Sequence, residues 1–280
     1  MKLSFIQQTK VFLISKYFKN QIRSDLNVDF TKYFEIGKGS VPIVLSCPHG
    51  GFLKPKFLLD KESGVNIADK VTYLAAKYML NLLKQKNIEI YYILNKIHRS
   101  KIDVNRPPKA TNALNQEAKN VEIAKRIHGL YHQQIKKLTE ECISLFKGCF
   151  FIDFHGFTKP HQEYPDIIIG NIFGNTLDIK LENQGKIKGE NHKYWGHYQI
   201  VHKFSKNFTL DDGLGLNNFN FAYSGGYITH QFYNKDHINA IQLEVAKYIR
   251  KNPVLLRLFI SDLVNAIEEI SKKSLILTHI

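Results

Sequence analysis

The chain has 280 residues, 44% hydrophobic and 12% aromatic against 23% charged, which is enough apolar material for one large α/β domain or two small ones and excludes a disordered or fibrous protein. Its 39 basic and 25 acidic residues leave a net charge of +14, which attracts anions without choosing among nucleic acid, lipid phosphate and a small dicarboxylate. The basic residues are spread in pairs such as Lys136/Lys137 and Lys272/Lys273, with no run of five, so the pattern argues against a nucleic-acid arm.

Cys47, Cys142 and Cys149 lack a CxxC spacing and are odd in number, which argues against a disulfide framework and against a thiolate metal site; a reducing, cytoplasmic location is expected. The opening residues reach Gln7, Gln8 and Lys10 before any apolar run of signal-peptide length, and no stretch of about 18 apolar residues follows, so no membrane span is expected.

In chain order, Val41–Ser46 is apolar and β-branched and runs into Cys47-Pro48-His49-Gly50-Gly51, the pattern of a buried strand ending in a tight loop. A helix is predicted from about Ile67 to Lys86, with Val71, Leu74, Ala75, Tyr78, Met79 and Leu82 on one face, and a strand from Ile88 to Leu94. A second helical pattern spans roughly Ala118 to Phe146, and a strand from Cys149 to Phe154 delivers His155 and Gly156. Further strands are predicted at Asp166–Gly170, Tyr198–Phe204 and Ile238–Val245, and an amphipathic helix from about Pro253 to Lys272. The alternation predicts a three-layer α/β/α sandwich with a mixed, mostly parallel sheet. We read one domain, 1–280, with residues 1–36 as an N-terminal extension, 37–250 as the core and 251–280 as a C-terminal helix.

In open α/β sheets, ligands collect beyond the carboxyl ends of the strands, so histidines at two such ends, His49 and His155, form a candidate metal pair. A catalytic zinc needs a third protein ligand and an open position. Asp69 is the first choice for it, with Glu62 and Asp60 as rivals, and its alternative role is to complement a helix dipole. Arg99 and Arg106, with Asp103 and Asn105 between them, have the composition of a carboxylate clamp or of a surface salt-bridge cluster. Glu244 stands inside an apolar stretch, where burial raises a carboxyl pKa toward the range of proton transfer; the alternative is a solvent-facing strand residue. Tyr223-Ser224-Gly225-Gly226-Tyr227 reads as a loop able to close over the site, or as a plain turn.

These residues together resemble the N-formylglutamate amidohydrolase family. The matching elements are Pro48-His49-Gly50-Gly51, Asp69, Arg99 through Asp103-Val104-Asn105-Arg106, Asp153-Phe154-His155-Gly156, Gly225-Gly226-Tyr227 and Gln242-Leu243-Glu244-Val245, in that order from about residue 42 to 250. The resemblance implies a fold similar to those of zinc carboxypeptidases and zinc-dependent cell-wall amidases. It implies one zinc ion per chain, with His49, Asp69 and His155 as ligands and Glu244 as the catalytic carboxylate. Arg99 or Arg106 would hold the substrate carboxylate or the developing oxyanion, with Asn105 and Gly226 beside the substrate. Phe52 stands where carboxypeptidases carry a glutamate three residues after the first histidine. The expected activity is hydrolysis of a small anionic N-acyl amino acid, of formyl type, by zinc-activated water. Two alternatives stay open: a zinc peptidase or cell-wall amidase, and a non-catalytic basic protein that binds anions or nucleic acid.

Overall fold

The computed structural model describes residues 29–181, 193–215 and 221–277. By its internal contacts the chain divides into two units, Met1–Lys32 and Tyr33–Ile280, and every strand and helix named below belongs to the second.

Seven strands of the described residues build one sheet: β1 Phe34–Gly37, β2 Ile43–Cys47, β3 Tyr91–Asn95, β4 Cys149–Phe157, β5 Ile167–Gly170, β6 Leu210–Asp211 and β7 Ile238–Ala246. Their order is β1-β3-β2-β4-β7-β5-β6. The central strands β3, β2, β4 and β7 run parallel, β1 lies antiparallel on β3, and β5 lies antiparallel on β7 with β6 parallel beside it. The fold is thus α/β with a mixed, mostly parallel sheet. β2, β4 and β7 are buried along their whole length, and such strands read as continuous apolar runs because both faces are covered.

Among the described residues six helices accompany the sheet: α1 Thr72–Gln85, α2 Val121–Phe146, α3 His197–Phe204, α4 Tyr227–His230, α5 Lys247–Lys251 and α6 Pro253–Leu277. Alternate residues of each strand point to opposite faces. Ile43, Leu45, Phe150, Ile152, Phe154, Ile241 and Leu243 join the core formed with α1, α3 and α6. Phe259 of α6 stacks on Phe204 of α3 at 5.0 Å between ring centroids and on Phe154 of β4 at 5.9 Å. Emptying that position by Phe259→Ala is expected to cost about 3–5 kcal/mol. The opposite face, with Ser46, Asp153, His155, Gln242 and Glu244, is more polar and is covered by α2: Tyr131 Oη donates to Ser46 Oγ at 2.8 Å, and Ser46 Oγ donates to Asp153 Oδ1 at 2.8 Å.

The predicted strand at Tyr198–Phe204 is instead the helix α3. Its buried residues include His197, Ile200 and Phe204, a spacing that suits a helix, and Gly196 turns the chain into it at φ 80°. A short apolar run without a strong period does not separate the two states. The helix predicted from Ile67 begins only at Thr72, because residues before it form the loop that carries Asp69. Its buried face is also turned from the predicted one: Thr72, Tyr73, Ala75, Ala76, Met79 and Leu83 are buried, while Leu74 and Tyr78 are 66% and 43% exposed. β1 takes Phe34–Ile36 out of the segment read as an extension, and neither it nor the two-residue β6 was predicted. Among the described residues no helix is long and apolar enough to cross a membrane.

Candidate metal centre

β2 ends at Cys47, and two residues later His49 is 2% exposed, folded back over the sheet's carboxyl end. Its carbonyl accepts a hydrogen bond from the Asp69 backbone N at 3.0 Å, which ties the loop before α1 to the histidine loop. His155 lies within β4, in register opposite Glu244 of β7. Three chain segments therefore deliver His49, Asp69 and His155, all buried, to one place, where one ligand atom from each lies within 4.8 Å of the others. Asp69 Oδ2 is 3.5 Å from His49 Nδ1 and 3.6 Å from His155 Nδ1. A tetrahedral ion bound at about 2.0–2.1 Å spaces its ligands by roughly 3.4 Å, so the cluster needs little adjustment.

The far side of each ring is fixed by a carboxylate. His49 Nε2 donates to Asp103 Oδ1 at 2.7 Å, and His155 Nε2 donates to Asp153 Oδ2 at 2.8 Å. A ring whose Nε2 carries the donated proton presents Nδ1 as its free ligand atom, the usual way in which a carboxylate orients a metal-binding histidine. His49 Nδ1 is buried with no hydrogen-bond partner among the described residues, an unpaired polar atom of the kind that native interiors avoid. Two ring nitrogens, one of them this unpaired atom, and one carboxylate oxygen fit a divalent ion such as zinc.

Burial opposes ionisation of Asp69, but the adjoining His155 and His49 outweigh it and hold the carboxyl well below the usual carboxylate range. Burial likewise opposes ionisation of Asp103, and the charges of His49 and Arg99 reverse the effect. For His155, burial disfavours the imidazolium, yet Asp153, then Asp69 and Glu244, push its pKa up to about 10. A metal ligating this ring displaces a proton. Glu244 goes the other way: burial raises its pKa, His155 resists and Asp69 adds to the rise.

Glu244 Oε1 accepts from Gln242 Nε2 at 2.9 Å, and Oε2 is buried with no partner among the described residues. Arg99 is 8% exposed and turned inward, its Nε donating to Asp103 Oδ2 at 2.8 Å and its Nη1 lying 3.6 Å from Asp69 Oδ1. Asn105 Nδ2 is 3.4 Å from His155 Nε2, and its Oδ1 accepts from the Ile228 backbone N at 2.9 Å. Gly226 donates its backbone N–H to Gln242 Oε1 at 2.7 Å, and a Cβ there would meet Asn105 Nδ2 at 2.1 Å, so the close approach of loop to asparagine requires glycine. Arg106 is half-buried; its Nη1 donates to the Asn105 carbonyl at 2.8 Å, and among the described residues no ion pair engages it. The rivals for the third ligand position are elsewhere. Asp60 is exposed beside Lys101 at 3.2 Å, and exposed Glu62 accepts from the Gln116 backbone N at 2.7 Å.

Asp103, which the sequence pattern places in a carboxylate clamp, instead accepts from His49 Nε2 and Arg99 Nε and so orients both side chains. A signal was present. Ile102-Asp103-Val104, Ile152-Asp153-Phe154 and Leu243-Glu244-Val245 each set an acid between two apolar residues, the local pattern of a carboxylate carried into the interior.

The cluster opens into a cavity of about 580 Å³. Besides Arg99 and Arg106, its lining includes Lys70, Lys247, Arg250 and Lys251, against two acids, Asp69 and Glu244. Nitrogen and oxygen donors converging beside an unpaired glutamate, in a cationic cavity at the carboxyl ends of parallel strands, have the constitution of a hydrolase site.

Residues 41–249 match the N-formylglutamate amidohydrolase family model; the chain belongs to that family and is an amidohydrolase. Two solved structures similar to it share this fold. One is an N-formylglutamate amidohydrolase from Ralstonia eutropha JMP134, 14% identical over 86% of this chain and 97% of that one, with a TM-score of 0.60. The other is gene product Atu2144 from Agrobacterium tumefaciens, 12% identical over 87% and 93%, with a TM-score of 0.59. Among curated proteins none matches.

Proposed function

We propose that this protein is a zinc-dependent amidohydrolase that removes a formyl-type acyl group from an N-acyl amino acid or a similar small carboxylate. The observation that carries the reading is the pair of histidines, each fixed at Nε2 by its own buried carboxylate, converging through Nδ1 on Asp69. His49, His155 and Asp69 would hold the ion, which when bound supplies an acidified water and a polarised substrate carbonyl. The fourth, open side faces the cavity in this reading, where the substrate would enter.

Glu244 is the proton carrier. Its raised pKa and unpaired Oε2 leave it able to take a proton from the attacking water and pass it to the departing amine nitrogen. Gln242 holds the other oxygen, and the same amide side chain receives the Gly226 N–H, so the carboxylate and the loop over the site are set by one residue. Arg99 is committed to Asp103 and Asp69, which makes it a support of the acids. Arg106, engaged among the described residues only through its neighbour's carbonyl, is the better candidate to receive the substrate carboxylate in bidentate fashion. Six cationic side chains in the cavity lining favour an anionic substrate.

The test combines metal analysis with a hydrolysis screen of N-acyl amino acids on metal-loaded enzyme. The expected result is one zinc per chain, activity on anionic N-acyl substrates, and loss of both in His49→Ala and His155→Ala with the fold retained. Wild-type protein that binds no divalent ion overturns the reading and favours a non-catalytic anion-binding protein. Full zinc occupancy in either alanine variant removes that histidine from the ligand set.

A further inference from the structure

Arg250 lies in α5, immediately past the segment that matches the family model, and it is 5% exposed. Burying a guanidinium is costly unless its N–H groups are satisfied. Among the described residues no carboxylate forms an ion pair with it; its hydrogen bonds go to three backbone carbonyls. Nε donates to Val245 O at 3.0 Å, Nη1 to Lys70 O at 2.6 Å and Nη2 to Phe157 O at 3.0 Å. Each carbonyl belongs to a different segment, and each segment carries a residue of the site. Val245 follows Glu244, Lys70 follows Asp69, and Phe157 is two residues after His155.

We propose that Arg250 is a positioning residue for the metal centre, a planar three-way tie that sets the spacing of Asp69, His155 and Glu244. The inference rests on the metal reading of the preceding subsection.

Two further observations point the same way. A Cβ on Gly156 would stand 2.3 Å from Arg250 Cζ and Nε, so the guanidinium lies against the bare Cα of the residue that follows His155. The N–H of the same Gly156 donates to Asp69 Oδ2 at 3.1 Å, the oxygen that faces both histidines. One glycine is thus wedged between the guanidinium and the acidic ligand. Val71, next after Lys70, has φ 77°, a left-handed conformation that costs a β-branched residue and persists only where the surroundings enforce it. Arg250 holds the carbonyl immediately before that turn, together with Thr72, whose Oγ1 donates to Asp69 O at 2.7 Å.

The tie depends on shape, because a guanidinium offers donors in three in-plane directions from a rigid fork and an ammonium does not. Arg250→Lys keeps the charge and loses the fork; Arg250→Gln loses both. If geometry is what matters, both variants weaken zinc binding about 10–100-fold, the range for residues that orient metal ligands. Affinity is read by competition with a chromogenic chelator. The visible absorption bands of the cobalt(II)-loaded protein, which report ligand geometry and which a general loss of stability does not move, should shift in both variants. Gly156→Ala should shift the same bands by displacing the guanidinium. In the Gly156→Ala/Arg250→Gln double variant the affinity losses should not add, since both changes remove one interaction.

Wild-type zinc affinity and an unchanged cobalt spectrum in folded Arg250→Lys overturn the proposal. A loss in Arg250→Gln with none in Arg250→Lys overturns it too, in favour of a purely electrostatic role. If none of the three single variants folds, Arg250 is a determinant of folding rather than of the site, and the proposal also falls. A wild-type protein that binds neither zinc nor cobalt refutes instead the metal reading on which this one stands.

Discussion

Asp103→Asn removes one negative charge and almost no volume, at a residue 1% exposed that accepts three hydrogen bonds. Oδ1 takes His49 Nε2 at 2.7 Å and the Asn105 backbone N at 3.0 Å, and Oδ2 takes Arg99 Nε at 2.8 Å. A carboxamide has only one acceptor oxygen. If it faces His49, its NH2 opposes the Arg99 N–H, two donors in contact; if it turns round, the NH2 faces His49 Nε2 and forces the ring into the tautomer with the proton on Nδ1, the atom that faces Asp69 and is proposed to bind the metal. Either way one charge-assisted hydrogen bond worth about 1.5–3 kcal/mol is lost. Placed on the metal equilibrium, an orienting carboxylate is worth about 10–100-fold in affinity, or roughly 1.4–2.7 kcal/mol. Zinc competition titrations on folded Asp103→Asn should find that loss, and Asp60→Asn, an exposed residue that meets Ser100 and Lys101 away from the two histidines, should bind zinc as the wild type does. An Asp103→Asn variant within twofold of wild-type affinity would refute the argument that the tautomer of His49 is set from Asp103.

Glu244→Gln keeps size and the bond from Gln242 and removes proton acceptance, so turnover should fall roughly 10²–10⁴-fold with zinc retained; an active, zinc-replete variant sinks the proposed base. Arg106→Lys keeps charge without the planar fork, so kcat/KM should fall markedly for carboxylate substrates and little for their amides, and equal effects on both would count against carboxylate recognition. The third expectation concerns pH and stability. Burial, aided by the neighbouring His128, depresses the His132 pKa to about 4, against the bonds with Val104 O and Gln231 and the charge of Asp153. A histidine whose folded pKa lies below its unfolded value contributes stability that is fully present above about pH 6.5 and is lost as pH falls toward 4, by up to about 3 kcal/mol. Urea unfolding at stepped pH should give a shallower slope in His132→Asn than in the wild type, and identical slopes would remove His132 as a source.

How much of this was legible in the sequence follows from which interactions are local. β2, β4 and β7 are buried on both faces, so their composition alone marks them, and the carboxyl-end position of His49 and the placing of His155 near the end of its strand followed from where those apolar runs stop. The run 198–204 was misread because an eight-residue helix is too short for its period to overrule its composition, and only packing of Phe204 against Phe259 settles the state. The face of α1 was misjudged because the turn at Val71, and so the rotation of the whole helix, depends on the loop before it.

The chain by itself determined the α/β class and brought the two histidines close to the carboxyl ends of their strands, although His49 stands two residues past β2 and His155 inside β4, since hydrophobic period and turn residues are properties of neighbours in sequence. The sequence put Asp69 first for the place beside the two rings but left Asp60 and Glu62 as rivals, because all three are acids in one loop and the hydrogen bond from Asp69 N to His49 O, with the burial that comes with it, is what separates them. The tertiary structure alone decided that Asp103 reaches back 54 positions to His49, and that Arg250 draws together carbonyls 93 and 180 positions away. Such contacts leave no local trace, because a hydrogen bond constrains two groups in space and places no demand on the residues between them.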